Sequence, residues 1–153
     1  MRQPGTLIRT LLGTACGLFL LLTAFNGCAT NKGSSHVPPE IESTITDISD
    51  EIAAERYEKI YNDASELWRQ DTTLEQSTAT FKALRSKLGQ VEMRTLQAAT
   101  EQQNSGGPLK GHSYIVSYFT KFQNGNGMET FTLVEQNGRW LLARYFVNST
   151  TLK

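Results

Sequence analysis

Apolar positions follow three rhythms along this chain, and each rhythm predicts a different kind of element. They are nearly continuous from Leu11 to Phe25, recur every three or four residues from Ile48 to Leu88, and alternate with polar positions beyond Val91. Spacing of three and four gathers side chains on one face of a helix, whereas alternation gathers them on one face of a strand.

In the helical part, Ile48, Ile52, Tyr57, Ile60, Tyr61, Ala64, Leu67 and Trp68 form one stripe. Glu51, Glu55, Arg56, Glu58, Lys59, Asp63 and Glu66 lie between them on the wet side. The pattern predicts one helix of about six turns starting near Thr46 or Asp47, where Asp47, Asp50 and Glu51 complement the positive end of the helix dipole. Thr72 and Glu75 have capping-box spacing and open a second helix. Its inner face is Leu74, Ser77 or Thr78, Phe81, Leu84 and Leu88, and Gly89 is placed to end it.

The alternating part predicts four strands. Val91 to Thr100 is the first and weakest, closed by the loop Asn104-Ser105-Gly106-Gly107-Pro108. His112 to Phe122 is dense in aromatic and β-branched residues. Tyr114, Val116, Tyr118, Thr120 and Phe122 share one of its faces; Ile115, Ser117 and Phe119 share the other. Asn124 to Gly127 turns the chain into a strand from Met128 to Glu135, and Asn137-Gly138 supplies a hairpin signal before Arg139 to Asn148. The expected fold is α+β: two N-terminal helices packed on a curved four-stranded antiparallel sheet, after a signal segment and a flexible tether.

The continuous run is shorter than the about 20 apolar residues that cross a bilayer. Arg2 and Arg9 precede it, and no acid occurs before Glu40, which is the order of a secretory signal peptide. Phe25-Asn26-Gly27-Cys28 resembles the bacterial lipobox, with a small residue before the cysteine, although Phe25 and Asn26 depart from the preferred Leu and small residue. Cleavage after Ala29 and retention of the run as an anchor are the alternatives. Cys16 would leave with the signal, so Cys28 would be the single thiol of the mature chain, and acylation would remove its reactivity. The expected division is a signal peptide over residues 1–27, a lipidated tether over 28–44, and one α+β domain over 45–153. Gly33, Ser34 and Ser35 would make the tether flexible and Pro38-Pro39 extended.

Charge changes the picture by its distribution. Residues 40–75 carry eleven acids and three bases, whereas residues 76–153 carry four acids and nine bases. An acidic helix that packs beside a mildly basic remainder is therefore expected, the alternative being a basic sheet surface for an anionic ligand or partner, with no polybasic stripe for nucleic acid.

The segment from Ile48 to Thr150 resembles a bacterial family catalogued as domain of unknown function 4019. Carrying the resemblance are Leu67-Trp68, the helix end from Phe81 to Gly89, Tyr114, Thr120-Lys121-Phe122, Glu129, Gly138-Arg139-Trp140 and Tyr145-Phe146-Val147. It implies an exported or lipid-anchored protein and no particular reaction. The Gly-x-Trp hairpin is also similar to those of cone-shaped folds such as nuclear transport factor 2 and the cystatins, which implies a bent sheet wrapped around a helix.

In such a cone, a pocket between sheet and helix would present a carboxylate beside a phenol. Glu129 shares a face with Phe131 and Leu133, and Tyr114, Tyr118, Trp140 and Tyr145 are the other candidate contacts. The pocket is the alternative, and the leading reading is structural: Glu129 pairs with Arg139, Arg144 or Lys121 across the hairpin, and the tyrosines fill the core. His112 stands at a strand entrance, where a surface or capping role is expected. No nucleophile–base constellation, phosphate loop, cofactor motif or metal-ligand set is legible. The expected protein is a non-catalytic binding or assembly module of the bacterial envelope, held through lipid on Cys28 and facing the periplasm, with Ala29 pointing to the outer membrane. Its partner would be an envelope protein, glycan or lipid. The alternatives are a small-molecule carrier or enzyme, and a homodimer packed sheet to sheet, since the strands from His112 onward are apolar on both faces.

Overall fold

A computed structural model describes residues 30–34 and 36–153 of the 153-residue chain. The expected signal segment and Cys28 lie outside the described residues. The elements are β1 (Thr30–Ser34), α1 (Pro39–Ala53), α2 (Tyr57–Asp63), α3 (Glu66–Asp71), α4 (Leu74–Leu88), β2 (Val91–Asn104), β3 (Gly111–Phe122), β4 (Gly125–Gln136) and β5 (Arg139–Asn148), followed by a 3₁₀ turn, Thr150–Leu152.

The four expected strands form an antiparallel meander, β2-β3-β4-β5, and β1 adds itself to the free edge of β2. Register shifts between Val91 and Met93, Leu96 and Ala98, and Thr132 and Leu133 mark bulges that bend the strands. One face receives the helices. Val116, Phe131, Leu133 and Leu142 from the sheet meet Ile41, Ile45, Tyr57, Ile60 and Phe81 in one buried cluster. A smaller cluster of Leu88, Phe122 and Val147 closes the core at the end of α4.

Phe81 is where the helical layer converges on the sheet. Its ring stacks on Tyr57 at 5.5 Å and on Trp68 at 6.0 Å, with Tyr145 of β5 5.5 Å away. Aromatic contacts at such separations add to the burial of large rings.

The single long helix expected from the apolar stripe is three helices. Glu55 has a left-handed backbone, φ 59°, so the chain turns after Ala53. Ala64 is extended, and Ser65 restarts the helix by accepting a bond from the Trp68 amide. Ser65 is fully buried, and its own amide donates to the Leu142 carbonyl at 2.9 Å, which ties this break to β5. The stripe persists across both breaks because every segment packs on the same sheet face.

The helical layer also starts earlier than expected. Pro38 is extended and Pro39 occupies the first helical turn, where a missing amide hydrogen costs nothing, while Glu40 and Glu42 suit the helix start. Val37 and Ile41 are buried, so residues assigned to the tether belong to the core. Within the described residues, β1 and α1 thus occupy much of the stretch expected to be a flexible tether. The capping box of α4 is shifted by one residue: Thr73 accepts from the Gln76 amide at 3.2 Å, and the Gln76 side chain accepts from the Thr73 amide at 3.0 Å. Gly89 does end that helix, with φ 75°, and a Cβ there would lie 2.8 Å from Gln123.

Candidate functional site

Glu129 projects from β4 onto the helix-covered face and is fully buried. Arg94 of β2 lies opposite Thr120 of β3, while Glu129 lies opposite Tyr118 of β3 and Val147 of β5. The alternation of each strand brings Arg94, Thr120, Glu129 and Tyr145 into one row across four strands.

The Glu129 carboxylate accepts four bonds. Oε2 receives Arg94 Nε at 2.5 Å and Thr120 Oγ1 at 2.9 Å. Oε1 receives Arg94 Nη2 at 2.9 Å and Tyr145 Oη at 2.7 Å. A carboxylate offers about four lone-pair sites, so each is occupied, and the guanidinium fork binds it bidentately. The Arg94 guanidinium also lies 5.8 Å from the centre of the Phe131 ring.

Burial alone would lower the Arg94 pKa, but the bond to Glu129 and its charge raise it. The Tyr145 phenol is pushed well above its ordinary value of 10.0, first by burial, then by the Glu129 charge and bond. Tyr145 is therefore held as a hydrogen-bond donor.

None of the three expected partners of Glu129 reaches it. Lys121 lies on the other face and pairs with Glu92 at 2.7 Å, while Arg144 and Arg139 are exposed. Arg94 escaped the reading because its strand is the least regular in pattern: the bulges at Glu92 and Gln97 break the alternation that would have assigned its face.

The remaining candidates divide. Tyr118 meets Phe131 edge-on at 6.1 Å, close to the Glu129 row. Tyr114 and Trp140 meet edge-on at 6.1 Å near the opposite end of β3, where Trp140 also touches His112 at 4.8 Å. His112 is more than a cap. Its Nε2 lies 2.7 Å from Glu101 of β2, and its Nδ1 lies 2.9 Å from Glu135 of β4. Burial alone would lower its pKa, but the bonds to Glu135 and Glu101 and their charges raise it.

Two hollows flank these clusters. A groove of about 600 Å³ lies between α1, α2 and the β4–β5 hairpin, with Ile48, Ile60 and Trp140 among its walls and Glu40, Asp47 and Asp50 at its sides. A cavity of about 190 Å³ lies between α1, α4 and the sheet, lined by Ile52, Phe81 and Leu84 together with Arg94 and Tyr145. Among the described residues, no group of three or more His, Cys, Asp or Glu side chains is placed to hold a metal ion, and no helix is long and apolar enough to cross a membrane.

With this helix-covered meander and its buried acid in view, comparison of the sequence with known proteins defines the class. Residues 46–145 match the family described as "Protein of unknown function (DUF4019)", and the chain belongs to that family. No curated protein matches it.

Tyr145→Phe, which deletes a bond to a buried carboxylate, lowers unfolding stability by about 1.5–3 kcal/mol in urea titration. For His112, a raised folded pKa means stability fully present below the unfolded value near 6.5 and lost as pH rises through the folded value. The wild-type melting temperature therefore declines as pH rises above about 6.5, and His112→Gln abolishes that part of the decline.

Proposed function

We propose that this protein is a bacterial envelope lipoprotein, exported on its N-terminal run, acylated at Cys28 and facing the periplasm as a non-catalytic binding or assembly module. The observation that carries the non-catalytic part is the saturation of Glu129. A general base needs a lone pair within reach of substrate, and all four sites of this carboxylate are engaged inside the protein. The acid that a pocket would have needed is committed to joining strands.

The groove beside Trp140 supports a binding role, since it is concave and brings Ile48, Ile60 and Trp140 together with acids and with Arg56 and Lys59. An envelope protein, glycan or lipid is the class of partner. The helix-covered, bulge-bent meander also favours kinship with the cone-shaped folds, which host binding modules as readily as enzymes. Three acyl chains, as lipobox cysteines carry, would hold the module stably where one would not. Ala29 after the cysteine favours the outer membrane.

The 190 Å³ cavity favours a second reading, a carrier of a small, largely apolar molecule that meets Arg94 and Tyr145. Its walls are mainly side chains of the core, so the occupant would be short.

Cells fed radioactive palmitate test the anchor. The wild-type chain is expected to take up label and to sediment with membranes, and Cys28→Ala is expected to lose both. Equal absence of label from the two chains contradicts the proposal.

A further inference from the structure

The face of the sheet turned away from the helices carries an apolar ridge. Met93, Phe119, Met128 and Phe146 are 54%, 41%, 37% and 64% exposed. Phe119 pairs directly with Met128 across β3 and β4. Met93 pairs with Lys121, two residues along β3 from Phe119, and Phe146 pairs with Thr130, two residues along β4 from Met128. Side chains at such diagonal positions are neighbours on one face. Four large side chains from four strands therefore form one continuous surface, where scattered single exposures would need no explanation.

Beside the ridge the same face is low. Ala98 of β2, Ser117 of β3 and Thr130 of β4 are in register behind it, and Ser117 and Thr130 hydrogen-bond to each other at 3.0 Å. A ridge of Phe and Met next to a trough of Ala, Ser and Thr meets its own complement after a half-turn about an axis that lies in the interface, parallel to the sheet and between ridge and trough. Each ridge then fills the other trough, at the roughly 10 Å spacing of packed sheets.

Charge and position point the same way. Lys121 is held by Glu92 at 2.7 Å, which leaves Arg144 as the other cation of this region. Such a nearly neutral face suits another copy of itself better than an anionic bilayer, for which free cations would be needed. The described chain begins at Thr30, opposite Gln103, ten residues along β2 from Met93. The ridge thus runs obliquely, from about 30 Å at Met93 to about 17 Å at Phe146, which is in register with Ala98, from the end of the sheet at which the chain enters. With an anchor at Cys28, two residues before Thr30, the ridge is carried away from the membrane surface.

We infer that the Met93–Phe119–Met128–Phe146 face is the interface of a two-fold homodimer, each copy seating its ridge in the Ala98–Ser117–Thr130 trough of the other. This deepens the reading of the protein as an assembly module and rests on it only for where the membrane lies. The partner is a second copy of this chain.

Ser117 stands at the boundary of ridge and trough, close to the expected axis. In intact cells expressing the full chain, Ser117→Cys treated with a short bismaleimide is expected to gain a covalent species of twice the chain mass. Adding Phe146→Lys, at a side chain exposed enough to leave the fold intact, is expected to reduce that species at least tenfold. Unchanged melting of the variant confirms that the fold is retained. A monomer alone, a conjugate of Ser117→Cys with another protein, or persistence of the species in Phe146→Lys overturns the inference. Fractionating the same cells separates the two claims: cross-linked dimer in the soluble fraction that needs Ser117→Cys and is lost with Phe146→Lys contradicts the anchor and leaves the dimer standing, whereas monomer in the membrane fraction does the reverse.

Discussion

The burial of one carboxylate constrains the rest of this fold. An ion of this kind loses several kcal/mol of hydration inside a protein, and the loss is recovered only with close pairing and full hydrogen bonding. Glu129 meets that demand by drawing Arg94 from β2, Thr120 from β3 and Tyr145 from β5 to one point on β4. A slip of one residue in any of these strands would turn its polar group to the other face. The network thus specifies the register of the meander more sharply than apolar packing does by itself.

The helices follow from the same geometry. Tyr145 both donates to Glu129 and packs against Phe81, so α4 is seated on the strand whose phenol completes the network. Tyr57 and Trp68 then stack on Phe81, which brings α2 and α3 onto that seat. A straight helix would leave the bent sheet after a few turns. Breaks at Glu55 and Ser65 let the helical layer follow it, and the hydrogen bond donated by the Ser65 amide to the Leu142 carbonyl fixes the second break.

The parts legible in sequence were those decided by period. The alternation in Tyr114 to Phe122 placed each side chain on its correct face, and Asn137-Gly138 placed the hairpin. What was illegible had competing causes. No glycine or proline marks the breaks near Glu55 and Ser65; the first is closed locally, with the Glu55 and Arg56 amides donating to the Ile52 and Glu51 carbonyls, and the second is tied to β5 through the Ser65 amide. Pro38-Pro39 read as a stiff linker, yet the same residues open a helix once Ile41 and Ile45 have a core to enter. Glu129 was recognisable as a buried acid because it alternates with Phe131 and Leu133. Its partner was not, because Arg94 lies 35 residues away on a strand whose bulges hide its face. The division of charge was legible only in its acidic half. Glu40, Asp47 and Asp50 line the groove beside Trp140 together with Arg56 and Lys59, whereas β2 to β5 carry four acids and four bases and the basic surplus includes Lys82, Arg85 and Lys87 of α4.

The claim that Glu129 and Arg94 act as one structural unit is tested most directly by a double-mutant cycle of unfolding free energies, using Glu129→Leu, Arg94→Met and the pair. Removing either partner leaves the other charge in the core, so each single change is expected to cost about 3–5 kcal/mol. The double change is expected to cost no more than either single one, giving a coupling of about 3 kcal/mol or more. Additive losses, with coupling below about 0.5 kcal/mol, would contradict the account.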